Sequence, residues 1–196
     1  MIKVEFDFAD LQKVALGLGA RADQIPYALA IAMNRSADTT RQFLIKATWP
    51  THVTARNPSF IAASLTTREA RASKQSLAVE IYDKLQRGNL VMQAKGGVRK
   101  PKGGGNLAVP VSAVQRTQRG VPQRLRPKNL KNAVKIRGNL FTRDGHGRLK
   151  LVYALKPATA IPKRVPFYED FYASMKRELE RNIPLAVAKA MATAKR

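Results

Sequence analysis

The sequence predicts an α+β fold, with an antiparallel or mixed sheet packed by a long N-terminal helix and a C-terminal helix, and with long basic loops. Three observations predict it. Apolar residues recur at helical spacing over 22–47 and again after residue 166. Short stretches between 65 and 93 and between 138 and 156 alternate with period two. The span separating them is rich in glycine, proline, lysine and arginine. A chain of 196 residues suits one domain. The expectation is a single domain over 1–196 with a basic, Gly/Pro-rich extended insertion at about 94–137.

Taken in order, Ile2, Val4 and Phe6 alternate with Lys3, Glu5 and Asp7, the pattern of a half-buried strand. Asp7 can cap a short helix from Phe8 or Ala9 to about Leu18, with Leu11, Val14, Ala15 and Leu18 on one face and Gly17 and Gly19 ending it. The clearest helix runs from about Ala22 to Ala47. Ile25, Leu29, Ala32, Met33, Ser36, Thr40, Phe43 and Leu44 mark its face, and Pro26 falls in the first turn, where a missing N–H does no harm. Asp23 at its start and Arg41 and Lys46 near its end agree with the macrodipole. Trp49-Pro50-Thr51-His52 is expected to end it, and Asn57-Pro58-Ser59 to open a short helix through about Ala63.

Three strands are expected next, Leu65 to Ala72, Leu77 to Tyr82 and Leu90 to Gln93, as an antiparallel meander. Residues 94–105, with five glycines and little to bury, read as a flexible loop. Leu107 to Val111 reads as a strand. Gln115 to Lys135 mixes Pro122 and Pro127 with many cations and is expected to order only against a partner. Gly138 to Arg143 and Arg148 to Lys156 flank Asp144-Gly145-His146-Gly147, a hairpin signal. The C-terminal helix begins near Pro166 with a stripe of Tyr168, Tyr172, Met175 and Leu179, widened by Phe167 and Phe171. It is expected to break at Ile183-Pro184 and resume over 185–194.

Charge is the positive functional signal. The chain has 36 lysines and arginines against 13 acids, a net charge of +23. Between Lys84 and Tyr168, twenty cations face one acid, Asp144. Self-repulsion of that size opposes compaction unless a polyanion or an acidic neighbour offsets it. The absence of cysteine excludes disulfides, thiolate nucleophiles and Cys-based zinc sites, and fits a reducing, cytosolic place of assembly. The acidic N-terminus is unlike a signal peptide, and no run reaches the ~18 apolar residues of a membrane span, so a soluble intracellular protein is expected.

Little favours catalysis. The glycine-rich loop lacks the Gly-Lys-Ser/Thr of a phosphate-binding loop, and no helical pattern follows Gly105. Asp144 and His146 suggest a metal-dependent nuclease only superficially, since no other acid lies near Asp144 and the one other histidine, His52, sits in a distant loop. No cofactor is expected. The basic run holds only Phe141 and Tyr153 as aromatics, both in expected strands, so nucleic-acid contact should be with phosphates and carry no sequence reading.

The order of elements resembles, over nearly the whole chain, the minor tail protein Z and tail-completion family of long-tailed bacteriophages. The residues that carry this are Ala28-Leu29-Ala30-Ile31-Ala32-Met33-Asn34-Arg35 in the long helix, Gly96-Gly97-Val98-Arg99 with trailing lysines, and Arg164-Val165-Pro166-Phe167 opening the last helix. The resemblance implies a structural virion protein, assembled in the host cytoplasm, without catalytic residues. It implies a homo-oligomeric ring, commonly hexameric, at the head-proximal end of the tail, joined to adjacent tail and neck proteins with double-stranded DNA in its lumen. Lys95, Arg99, Lys100 and Lys102 are the first candidates for contact with DNA or an adjacent subunit. Arg116, Arg119, Arg124, Arg126 and Lys128 are the second. Phe167, Tyr168, Phe171 and Tyr172 read as core, with subunit docking as the functional alternative. A ribosomal-type RNA-binding protein shares the same charge and loops and is the rival reading.

Overall fold

In a computed structural model, which describes residues 13, 24–86, 90–101, 103–118 and 120–193, the helical period over 22–47 becomes α1, Ile25–Phe43. The expected N-terminal strand and short helix lie outside the described residues, apart from Lys13. The helix does not stop at Trp49. A π-helical turn, Leu44–Thr48, carries it into α2, Trp49–His52, which contains Pro50. Proline has no N–H to give the carbonyl four residues back, and its ring crowds that carbonyl. The wider turn, closed by the Trp49 N–H on the Leu44 carbonyl, accommodates it. Thr51 Oγ1 donates to the Ala47 carbonyl at 2.8 Å, and His52 Nδ1 lies 2.9 Å from the Thr48 carbonyl.

The chain divides into two compact units, one of Met1–Thr54, Ser59–Ala94 and Arg164–Arg196, the other of Ala55–Pro58 and Lys95–Lys163. The α+β class holds, with long helices and antiparallel sheets, but the expected single domain resolves into these two units. The insertion runs to Lys163 rather than to about 137. The reason is pairing: strands after 137 take their partners from before it, so they belong with the insertion.

In the first unit, α1 packs on a 27-residue C-terminal helix, Phe167–Thr193. Their shared core includes Leu29, Ala32, Met33, Ala37, Phe171, Met175, Leu179, Ile183 and Val187, all buried. A polar seam runs through it. Thr40 Oγ1 and Ser174 Oγ are 3.1 Å apart, and Asn182 Nδ2 donates to Ser36 Oγ at 3.1 Å. The expected break at Pro184 is absent: the helix is continuous through it. Pro184 itself is exposed, while Ile183, Ala186, Val187 and Ala190 sit at helical spacing on the buried face, and their burial outweighs one lost backbone bond.

Other sides of this core are closed by short pieces. A helix, α3 (Ser59–Ser64), leads into β1 (Leu65–Thr66), which pairs antiparallel with β2 (Tyr82–Asp83). Of the three expected meander strands, the first is reduced to the two residues of β1 and the second overlaps β2 only at Tyr82. Leu90–Lys95 is a helix, α4, because Leu, Met, Gln, Ala and Lys favour helix and Leu90 and Ala94, four apart, both bury. Side chains of α1 staple the segment from α3 to Ala72. Arg41 donates to the Leu65 and Ala62 carbonyls at 2.6 and 2.7 Å. Asn34 exchanges two 2.9 Å hydrogen bonds with the Ala72 backbone, and Asp38 takes Arg71 at 2.7 Å. Trp49 stacks on Phe167 with ring centroids 5.9 Å apart.

The insertion leaves and returns side by side. The Gln93 carbonyl accepts the N–H groups of Arg164 and Val165 at 2.9 and 3.1 Å. Just beyond, β3 (Gly97–Arg99) pairs antiparallel with β8 (Thr159–Ile161), so part of the expected flexible loop is a stem. The second unit then builds a four-stranded antiparallel sheet in the order β4 (Leu107–Pro110), β7 (Leu149–Lys156), β6 (Asn139–Arg143), β5 (Ala133–Ile136). Its core is small: Val114, Val152 and Tyr153, with Val121, Leu125, Leu130 and Leu140 packed against them. A bulge opposite Leu140 and Phe141 leaves Val152 out of the β6 register. The stretch expected to order only against a partner instead folds over its own sheet. Two 3₁₀ turns, Gln123–Leu125 and Pro127–Asn129, carry Leu125 and Leu130 onto that core, and the Tyr153 hydroxyl donates to the Leu125 carbonyl at 2.6 Å. Among the described residues no helix is long and apolar enough to cross a membrane.

Candidate nucleic-acid interface

Charge is divided unequally between the units. The second contains eighteen of the 36 lysines and arginines and one of the 13 acids, a net of +17 out of +23. The one acid is Asp144, and its Oδ1 accepts the backbone N–H groups of His146 and Arg148, each at 2.9 Å. That carboxylate therefore builds the β6–β7 turn. A small core under so much like charge is self-repelling, and one turn carboxylate cannot balance it.

The first-choice cations do not form one mobile loop. Lys95 ends α4, Arg99 closes the stem strand and Lys100 follows it, all three exposed. Lys102 lies outside the described residues, as does Arg119. Among the second-choice residues, Arg124 and Lys128 are exposed on the two 3₁₀ turns. Arg116 and Arg126 are tethered by backbone carbonyls, Arg116 to Pro110 at 2.9 Å and Arg126 to Val121 at 3.4 Å. These two come together near Tyr153: burial raises its phenol above the ordinary value, while the positive charges of Arg116 and Arg126 pull it back down.

One residue escapes a reading of the sequence alone. Arg56, in the four-residue segment Ala55–Pro58, lies with the second unit and lines an open hollow of about 610 Å³ with Ser112, Val114, Gln115 and Arg116. Nothing in its own neighbourhood marks it, because its companions stand some sixty residues further along the chain. Arg143, Arg148, Lys150 and Lys156 are further exposed cations on the sheet strands and turn.

Neither aromatic of the unit is set out for stacking. Tyr153 is buried and Phe141 is half-buried in β6. In the first unit, Phe167 and Phe171 are core residues, each 1% exposed, which takes them out of the candidate docking set. Tyr168 is half-buried, and Tyr172, expected on the buried stripe, is 52% exposed. The helical face is rotated from the expected one because Phe167, Phe171, Met175 and Leu179 follow one another at the spacing that meets α1. Among the described residues no three His, Asp or Glu side chains gather where they could hold a metal, and His146 is an exposed turn residue.

No protein-family model matches this chain, and no curated protein or solved structure is significantly similar to it.

Proposed function

We propose that the second unit is a module for binding nucleic-acid phosphate backbone, and that the chain is a structural component of a phage head–tail junction. In this reading it forms a ring at the head-proximal end of the tail and contacts passing duplex DNA without reading its sequence. The observation that carries the DNA contact is the +17 of the second unit, whose single carboxylate is already engaged in a turn. Counter-ion release from DNA phosphates offsets such repulsion and is indifferent to base identity. The buried Tyr153 and half-buried Phe141 leave no stacking platform in the unit, which favours sliding contact over base capture. The ring and its place in the virion rest on the resemblance of 28–35, 96–99 and 164–167 to tail-completion proteins.

Titrating the protein with a random duplex and with a folded RNA, from about 50 to about 200 mM salt, tests the module. Duplex affinity should fall steeply, by about a thousandfold if some six phosphates are contacted. A strong preference for one folded RNA would instead favour a ribosomal-type role. Electron microscopy of the purified protein with duplex DNA should show rings; monomers alone under all conditions would count against the junction assignment.

A further inference from the structure

We infer that the hollow lined by Arg56, Ser112, Gln115 and Arg116 is a built seat for a backbone phosphate of a nucleic-acid strand. The inference rests on the second unit being a phosphate-backbone module and specifies where that module makes its grip. Arg56 arrives from the segment Ala55–Pro58, far from Arg116 in sequence, yet both guanidinium side chains line one hollow of about 610 Å³. Two cations lining one hollow repel each other, and among the described residues no carboxylate lines it. An anionic ligand removes that conflict.

The donor set fits a phosphodiester. Arg116 spends one of its five N–H donors on the Pro110 carbonyl, which fixes the guanidinium and leaves the remainder for a ligand. Arg56, the Gln115 amide and the Ser112 hydroxyl add donors around the same space. The two non-bridging oxygens of a phosphodiester can accept from several of these donors at once; a carboxylate has the same number of acceptor oxygens, so the choice of phosphate follows from the module reading. Val114, 6% exposed, anchors the floor of the hollow in the core of the unit. Among the described residues no aromatic lines the hollow, which suits backbone and not base.

The test compares variants that remove equal charge from different places. Arg56→Ala with Arg116→Ala should weaken random-duplex binding at constant salt by about a hundredfold, about tenfold for each guanidinium removed. Arg148→Ala with Lys150→Ala, both exposed at the β6–β7 turn, should cost at most about threefold. Gln115→Glu removes neither arginine but places a carboxylate in the hollow, and should cost about tenfold. If losing the Arg116 tether lowers the melting temperature of the double variant, Arg56→Ala and Gln115→Glu decide. Equal losses from the hollow pair and the turn pair, with the parent protein still binding DNA, would overturn the seat and leave the module reading standing. A parent protein that fails to bind duplex at all would overturn both. Hollow variants that lose poly-glutamate but keep DNA would mean a carboxylate site, and would likewise overturn the inference.

Discussion

Phe171 and Tyr172 are neighbours in sequence and opposites in role. Both are aromatic, both fall on the C-terminal helix, and local sequence does not separate core from surface where the helical stripe is broad. Packing does: Phe171 is 1% exposed, in the core formed with α1, and Tyr172 is 52% exposed. Phe171→Ala should therefore lower unfolding free energy by about 3–5 kcal/mol, through lost burial and the cavity left behind. Tyr172→Ala should change it by no more than about 0.5 kcal/mol. Chemical denaturation followed by circular dichroism reads both; a Tyr172 effect matching that of Phe171 would contradict the assigned helix face. Arg56 shows the same limit for the site. Its neighbours Ala55, Asn57 and Pro58 are unremarkable, and only tertiary structure sets it beside Arg116. The charged stretch after residue 84 is legible in sequence because composition survives folding, whereas a constellation drawn from two distant segments is not.

Elements with strong periodicity are legible in the sequence, and those decided by competition are not. The long helix from Ile25 onward, the Asp-Gly hairpin and the strand that begins at Leu107 appear where their patterns put them. Leu90 to Gln93 suggests a strand in sequence because the short apolar run Leu90-Val91-Met92 fits either period, and helix propensity with an i, i+4 buried pair settles Leu90–Lys95 as helix. Pro50 and Pro184 both have the sequence signature of a stop, yet both lie inside helix: Pro50 follows the wider π-helical turn, and Pro184 is flanked by buried Ile183, Ala186 and Val187. The stem depends on a feature that glycine alone supplies. Gly96 has φ of +75°, and a Cβ there would stand 3.2 Å from the Lys163 backbone nitrogen. Gly96→Ala strains the positive φ and crowds the Lys163 backbone, at a cost of about 1–2 kcal/mol. Thermal unfolding should show that loss, whereas Gly103→Ala, with a similar φ of +79° and open space around it, meets only the backbone part of the penalty. An equal or smaller loss at Gly96 would mean that the stem does not require its tight approach.

On the scale of the whole molecule, excess charge and buried core are separated along the chain. The first unit owns the long helices and the larger core, and holds twelve of the 13 acids. The second owns most of the excess charge over a core of three buried apolar side chains. The two ends of the insertion lie side by side: Gly97 opposes Ile161 in register, and the Gln93 carbonyl accepts the N–H groups of Arg164 and Val165. Paired strand residues lie about 5 Å apart, a gap that a linker of two to four glycines spans. Replacing 97–161 by such a linker should therefore leave the first unit folded, since none of its core residues lies in the removed span. Far-ultraviolet circular dichroism should keep its helical signal and a cooperative melt, while affinity for random duplex at low salt falls by at least about a hundredfold. Loss of the cooperative melt would show that the first unit depends on the second for stability. Retained DNA affinity would move the phosphate contacts to the first unit, against the charge distribution on which the functional reading stands.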